Sequence, residues 1–206
     1  MKNKKLQEYI ISQLKPIRYG FSLEREELLE GITVFLYWSI PSFFFALLQK
    51  IEIRNFPALY IKSAVEEGIS PHIWNIFGSI GFVFLGLTII APKFKFFRIS
   101  AAQIFLNTYA MGALSIGLMI GNLSILFESS KIEFWNGIFL KILFFLLLIT
   151  LIAINFSAWY CAKIVTKEKQ GDNFIHLLVK VDLKIRFTLG TFIATLPIVF
   201  FVLFEK

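Results

Sequence analysis

The chain has 206 residues, 57% of them hydrophobic, 17% aromatic and 17% charged, with 25 Phe and a formal net charge of +7. A water-soluble domain keeps about a quarter of its residues charged and spreads them around every helix, whereas here long segments carry no charge at all. That pattern excludes an ordinary soluble domain and makes lipid the expected solvent.

Residues 1–27 form a basic segment. MKNKK followed by LQEYIISQLKP lacks the unbroken apolar core of a cleavable signal, so a retained N-terminus is expected. Leu6, Tyr9, Ile10, Gln13 and Leu14 follow helical spacing up to Lys15-Pro16, which predicts a short amphipathic helix lying along the membrane. Residues 28–206 read as an all-α, polytopic transmembrane bundle. Crossing a hydrocarbon core of about 30 Å takes roughly 20 apolar residues in a helix, and five stretches qualify, at about 28–48, 73–91, 99–127, 134–164 and 187–204. The third and fourth exceed the minimum, so tilt is expected. Pro41 and Pro197 should kink the first and last spans.

In the third span, GALSIGLMIGN places Ala113, Gly117 and Gly121 four residues apart, hence on one stripe along which another helix can approach closely. Gly78 and Gly81 in the second span offer a matching small surface, so HIWNIFGSIGF against GALSIGLMIG is the expected internal contact. The alternative is a second copy of the chain seated on the stripe, as a homo-oligomer. Gln103 and Asn107 lie one turn apart in the same span, and Asn155 lies in the fourth. Amides in hydrocarbon need hydrogen-bond partners, so these either fasten neighbouring helices or line a narrow polar path.

Between residues 165 and 186 a cytoplasmic loop is expected. Its segment FIHLLVKVDLKIRF sets Phe174, Leu177, Leu178 and Val181 to one side with Lys180 and Lys184 beside them, which predicts a second interfacial helix. With the N-terminus inside, 15 of the 21 Lys and Arg fall on the cytoplasmic side. Positive-inside bias then gives a cytoplasmic N-terminus and an outer C-terminus. The working surface is a basic inner face carrying Lys15, Arg18, Lys93, Lys95, Arg98, Lys180, Lys184 and Arg186. Anionic headgroups attract such a face, at about 1 kcal/mol per well-placed Lys or Arg; the sharper readings are an acidic protein partner or RNA. For RNA, Phe94, Phe96 and Phe97 interleave with Lys93, Lys95 and Arg98, a pattern that an ordinary membrane-interface loop shares.

None of the 14 acidic residues falls deep within an expected span, which argues against proton-coupled pumps and intramembrane aspartyl proteases. Lys141, the one charge inside a span, is expected to snorkel to the outer headgroups. His72 and His176 fall on opposite sides of the expected membrane and do not pair on a metal. The sequence has no GxSxG, HExxH, CxxC, P-loop or dinucleotide fingerprint, and its single Cys161 permits no internal disulfide. No catalysis, cofactor or metal is expected.

PKFKFFRISAAQIFLNTYAMG, a short basic inner loop leading into a span with a mid-helix Asn-Thr-Tyr, resembles the corresponding region of Yip-like five-span proteins, which have a cytoplasmic N-terminus and similar length. The whole chain, small, rich in Lys, Ile and Phe and basic on its inner faces, is similar to the membrane accessory proteins of type VI-B CRISPR-Cas loci. That resemblance implies a regulatory partner for an RNA-targeting nuclease in antiviral defence. The expectation is thus a non-enzymatic accessory protein of a bacterial inner membrane; a small oligomeric channel or transporter is the rival.

Overall fold

A computed structural model describes residues 2–15, 23–48, 71–129, 134–167 and 174–204. Among these residues there are seven helices and no strand: α1 (Lys2–Leu14), α2 (Arg25–Leu47), α3 (Pro71–Ile90), α4 (Lys95–Ser129), α5 (Phe134–Thr166), α6 (Phe174–Lys180) and α7 (Leu183–Phe204). Arg18, Lys131, Glu133 and residues 49–70, expected to form an outer loop, lie outside the described residues.

Local chemistry sets the helix ends. Pro16 disfavours helical geometry in the residue before it, and α1 stops at Leu14. Glu26 and Glu27 sit in the first turn of α2, where they complement the positive end of the helix dipole. α3 opens on Pro71, which lacks the N–H that would be left over there. It closes into Ala91-Pro92, with Phe94 N–H donating to the Ala91 carbonyl across a tight turn (3.0 Å). Asp182 caps α7, its Oδ1 accepting from Lys184 N–H at 2.7 Å.

Three helical stretches among the described residues are long and apolar enough to cross a membrane: Arg25–Leu47, Lys95–Asn122 and Lys141–Thr166. Trp74–Ile90 is apolar but shorter. Lys141 stands at the first residue of the third stretch, and its side chain is exposed.

The residues group into two compact units. In the unit formed by Glu26–Trp74 and Thr108–Ala158, α2 turns its small residues inward. Gly31, Ser39, Ser42 and Ala46 are buried, while Tyr37 is 71% exposed. A water-soluble helix shows the reverse arrangement. The stripe meets α4 in parallel register. Tyr109 Oη donates to the Gly31 carbonyl at 2.7 Å. A Cβ on Gly117 would strike Ser42 Oγ and the Ser39 carbonyl, and one on Gly121 would lie 2.5 Å from the Ala46 Cβ. The glycine stripe therefore seats α2, not α3 as its match with Gly78 and Gly81 suggested. Ser42 fits on the facing helix because its hydroxyl folds back on it, donating to the Ser39 carbonyl at 2.9 Å. With that groove filled, the stripe offers no seat for a second copy.

In the unit formed by Met1–Arg25, Asn75–Asn107 and Trp159–Lys206, α3 runs antiparallel to both α4 and α7. Gly81 lies against the Phe105 ring, which a Cβ there would approach to 2.9 Å, and Phe82 meets that ring edge-on at 5.4 Å. Gly86 abuts the Gly190 carbonyl, and a Cβ on Gly190 would reach 2.5 Å from the Gly86 oxygen. Gly78 is half-buried. Phe174, Ile175, Leu177, Leu178 and Val181 are all buried, so the apolar face of α6 is covered by protein and is not free to lie in lipid.

Candidate functional site

The basic residues assemble from the local chain path. Arg186, in the first turn of α7, directs Nη1 to the Ile90 carbonyl at the C-terminus of α3, a long contact of 3.5 Å. A cation there complements the negative end of that helix. Its Nε is buried without a hydrogen-bond partner. Lys93 follows Ile90 by three residues, within about 10 Å by backbone reach; Lys184 precedes Arg186 by two. Lys93, Lys95, Lys180 and Lys184 are exposed, Arg98 is half-buried, and Lys15 is exposed at the end of α1. Arg186 thus ties the start of α7 to the turn that carries Lys93 and Lys95, while the lysines keep their charge outward.

Between the charges, four Phe rings pack on one another. Phe97 lies 5.9 Å from Phe94, 5.8 Å from Phe96 and 6.4 Å from Phe84, centroid to centroid. Phe94 and Phe96 remain 64% and 66% exposed. Tilted and edge-on contacts of this kind fix the turn that displays the lysines.

The buried polar residues of the unit formed by Glu26–Trp74 and Thr108–Ala158 close a seam between helices. One turn of α4 is tied to three other helices. Tyr109 Oη holds α2 at Gly31, Trp74 Nε1 of α3 donates to the Thr108 carbonyl at 3.1 Å, and Asn155 Nδ2 of α5 donates to the Tyr109 carbonyl at 3.1 Å. Asn155 is only 2% exposed; its Oδ1, without a hydrogen-bond partner, lies against Gly112, where a Cβ would collide with it. Glycine at 112 is what admits the amide. Gln103 and Asn107, in the other unit, are exposed on α4.

The chain matches no protein family, no curated protein and no solved structure.

Among the described residues no group of three His, Cys, Asp or Glu is placed to hold a metal ion. Cys161 is a half-buried free thiol and His176 is exposed; the His72 side chain lies outside the described residues. Sequence reasoning did not single out Tyr109, Trp74, Gly86, Gly112 or Gly190. The stripe Gly31, Ser39, Ser42, Ala46 was a legible signal for the contact between α2 and α4, being small residues at helical spacing. Nothing comparable marked Trp74, whose aromatic character suits a lipid-facing position equally well.

Proposed function

We propose that this chain is an integral membrane protein of five passes, with its N-terminus cytoplasmic and its C-terminus outside, and that it acts without catalysis by docking an acidic partner on its inner basic edge. Helix sense supports the passes: α2 and α4 run parallel in one unit, while α3 runs against α4 and α7 in the other, as alternate crossings require. α3 and α7 supply the second and fifth crossings. Apart from Lys184 and Arg186 near the start of α7, neither helix carries a charged residue.

The observation that carries the docking role is the Arg186–Ile90 contact, which joins the start of α7, with exposed Lys184, to the turn that bears exposed Lys93, Phe94, Lys95 and Phe96. A charge edge built on a braced turn holds its geometry when a partner binds, which lowers the ordering cost of association. In keeping with the resemblance to type VI-B accessory proteins, the partner is an RNA-targeting effector of a bacterial defence system.

Two experiments test the reading. Reporter fusions in the 49–70 segment and in the 168–173 segment should report outside and inside respectively; the same compartment for both refutes five passes. Co-purification in mild detergent should lose the partner when Lys93, Lys95 and Arg98 are changed to Gln, and an unchanged set of partners refutes the docking edge.

A further inference from the structure

The α4 face that bears Gln103 and Asn107 is exposed over about two and a half turns, with Ile99 59% and Leu106 36% exposed between and beside the amides. This face lies opposite the buried Ala101, Ala102 and Phe105, which pack inside the chain. Among the described residues neither amide has a hydrogen-bond partner, and this is what singles the face out. Arg98 marks the headgroup level on the same helix. At 1.5 Å per residue, Gln103 lies about 8 Å deeper and Asn107 about 14 Å deeper, close to the midplane of a hydrocarbon core about 30 Å thick. Lipid tails supply neither donor nor acceptor, so a primary amide left against them keeps two N–H groups and a carbonyl unsatisfied.

We propose that this face joins two copies of the chain, α4 against α4, through paired Gln103 and Asn107 amides. An amide is donor and acceptor at once. A two-fold axis along the membrane normal sets each residue against its own copy at the same depth, so identical side chains satisfy each other with no second kind of partner. Copies inserted with the same topology are parallel, as the pairing demands. Ile99 and Leu106 flank the amides and exclude lipid. The inference rests on α4 being a membrane crossing, and it moves self-association from the glycine stripe, which α2 fills, to the opposite face of the same helix.

The test uses full-length chain in native membranes with Cys161→Ser and single cysteines at Ile99 or Leu106, compared with exposed positions Phe145 and Phe192 elsewhere. Mild oxidation should give covalent dimers at the two α4 positions and little at the two elsewhere. Energy transfer between labelled copies in liposomes should show association weakened about tenfold by Gln103→Leu with Asn107→Leu, and kept by Gln103→Asn with Asn107→Gln. Equal cross-linking at Phe145, cross-links to other proteins alone, or a Leu double variant that associates like the parent would each overturn the dimer. Alkaline carbonate extraction is run in parallel: release of the chain from membranes refutes the crossing itself, whereas retention without dimers refutes only the pairing.

Discussion

Gly117→Ala adds one methyl group where α2 and α4 run backbone to backbone. The new Cβ would sit 2.9 Å from the Ser39 carbonyl carbon, and nearer still to its oxygen and to Ser42 Oγ. Ordinary contact at a Cβ begins near 3.4 Å, so the two helices must part by about half an ångström or more. A gap of about 0.5–1 Å forfeits a quarter to a half of the dispersion attraction of each facing atom pair, and overpacking of this kind costs about 1–3 kcal/mol. For a chain of this length the thermal midpoint should fall by roughly 3–10 °C, measured by fluorescence during heating in a mild detergent. Adding Ser42→Ala removes the hydroxyl but leaves the Ser39 carbonyl in place, so the double variant should recover less than half of the loss. A Gly117→Ala protein that melts within a degree of the parent refutes backbone contact at this position. Full rescue by Ser42→Ala places the clash on the hydroxyl instead.

Tyr109→Phe deletes the hydrogen bond to the Gly31 carbonyl but keeps the ring stacked edge-on to Phe156 at 5.4 Å; a loss of about 1 kcal/mol is expected, read as a small drop in midpoint with no change in helical circular dichroism. Asn155→Leu removes the tie to the Tyr109 carbonyl and brings a bulkier branch against Gly112, so it should lower the midpoint more than Asn155→Ala does in the same melt. Gly86→Ala and Gly190→Ala both thrust a Cβ at the opposing backbone, and each should cost about 1–3 kcal/mol. If the double variant loses no more than either single one, the two substitutions act on the same contact.

Helix positions were legible in the sequence because long apolar runs have few alternatives to a helix, though only three of the five expected spans are long and apolar enough among the described residues to cross a membrane. Which face turns inward was far less so. When every face is apolar, hydropathy has no period to report, and the inward stripe is marked by size instead: Gly31, Ser39, Ser42 and Ala46 on α2, Gly112, Ala113, Gly117 and Gly121 on α4. Small-residue spacing revealed the α4 stripe but not its occupant, since Gly78 and Gly81 supply the same spacing as the serines of α2. Gly81 instead accommodates the Phe105 ring. The basic edge was visible as charge, while the Arg186 contact that braces it links residues 96 positions apart and leaves no local trace. Tyr109 and Trp74 were passed over because an aromatic side chain carries the same apolar signal facing lipid as it does fastening a helix.

The inward serines of α2 have a consequence for how this chain tolerates change. Side-chain volume, more than oiliness, governs the contact between α2 and α4, so Ser39 or Ser42 to Ala should pass almost unnoticed while Leu at either position forces the backbones apart. On the outward flank the rule inverts: Tyr37 or Phe145 can shrink freely to Leu or Val, and only a charge is penalised. Drift among descendants of this sequence would then leave a ladder of small residues standing amid freely exchanging large ones.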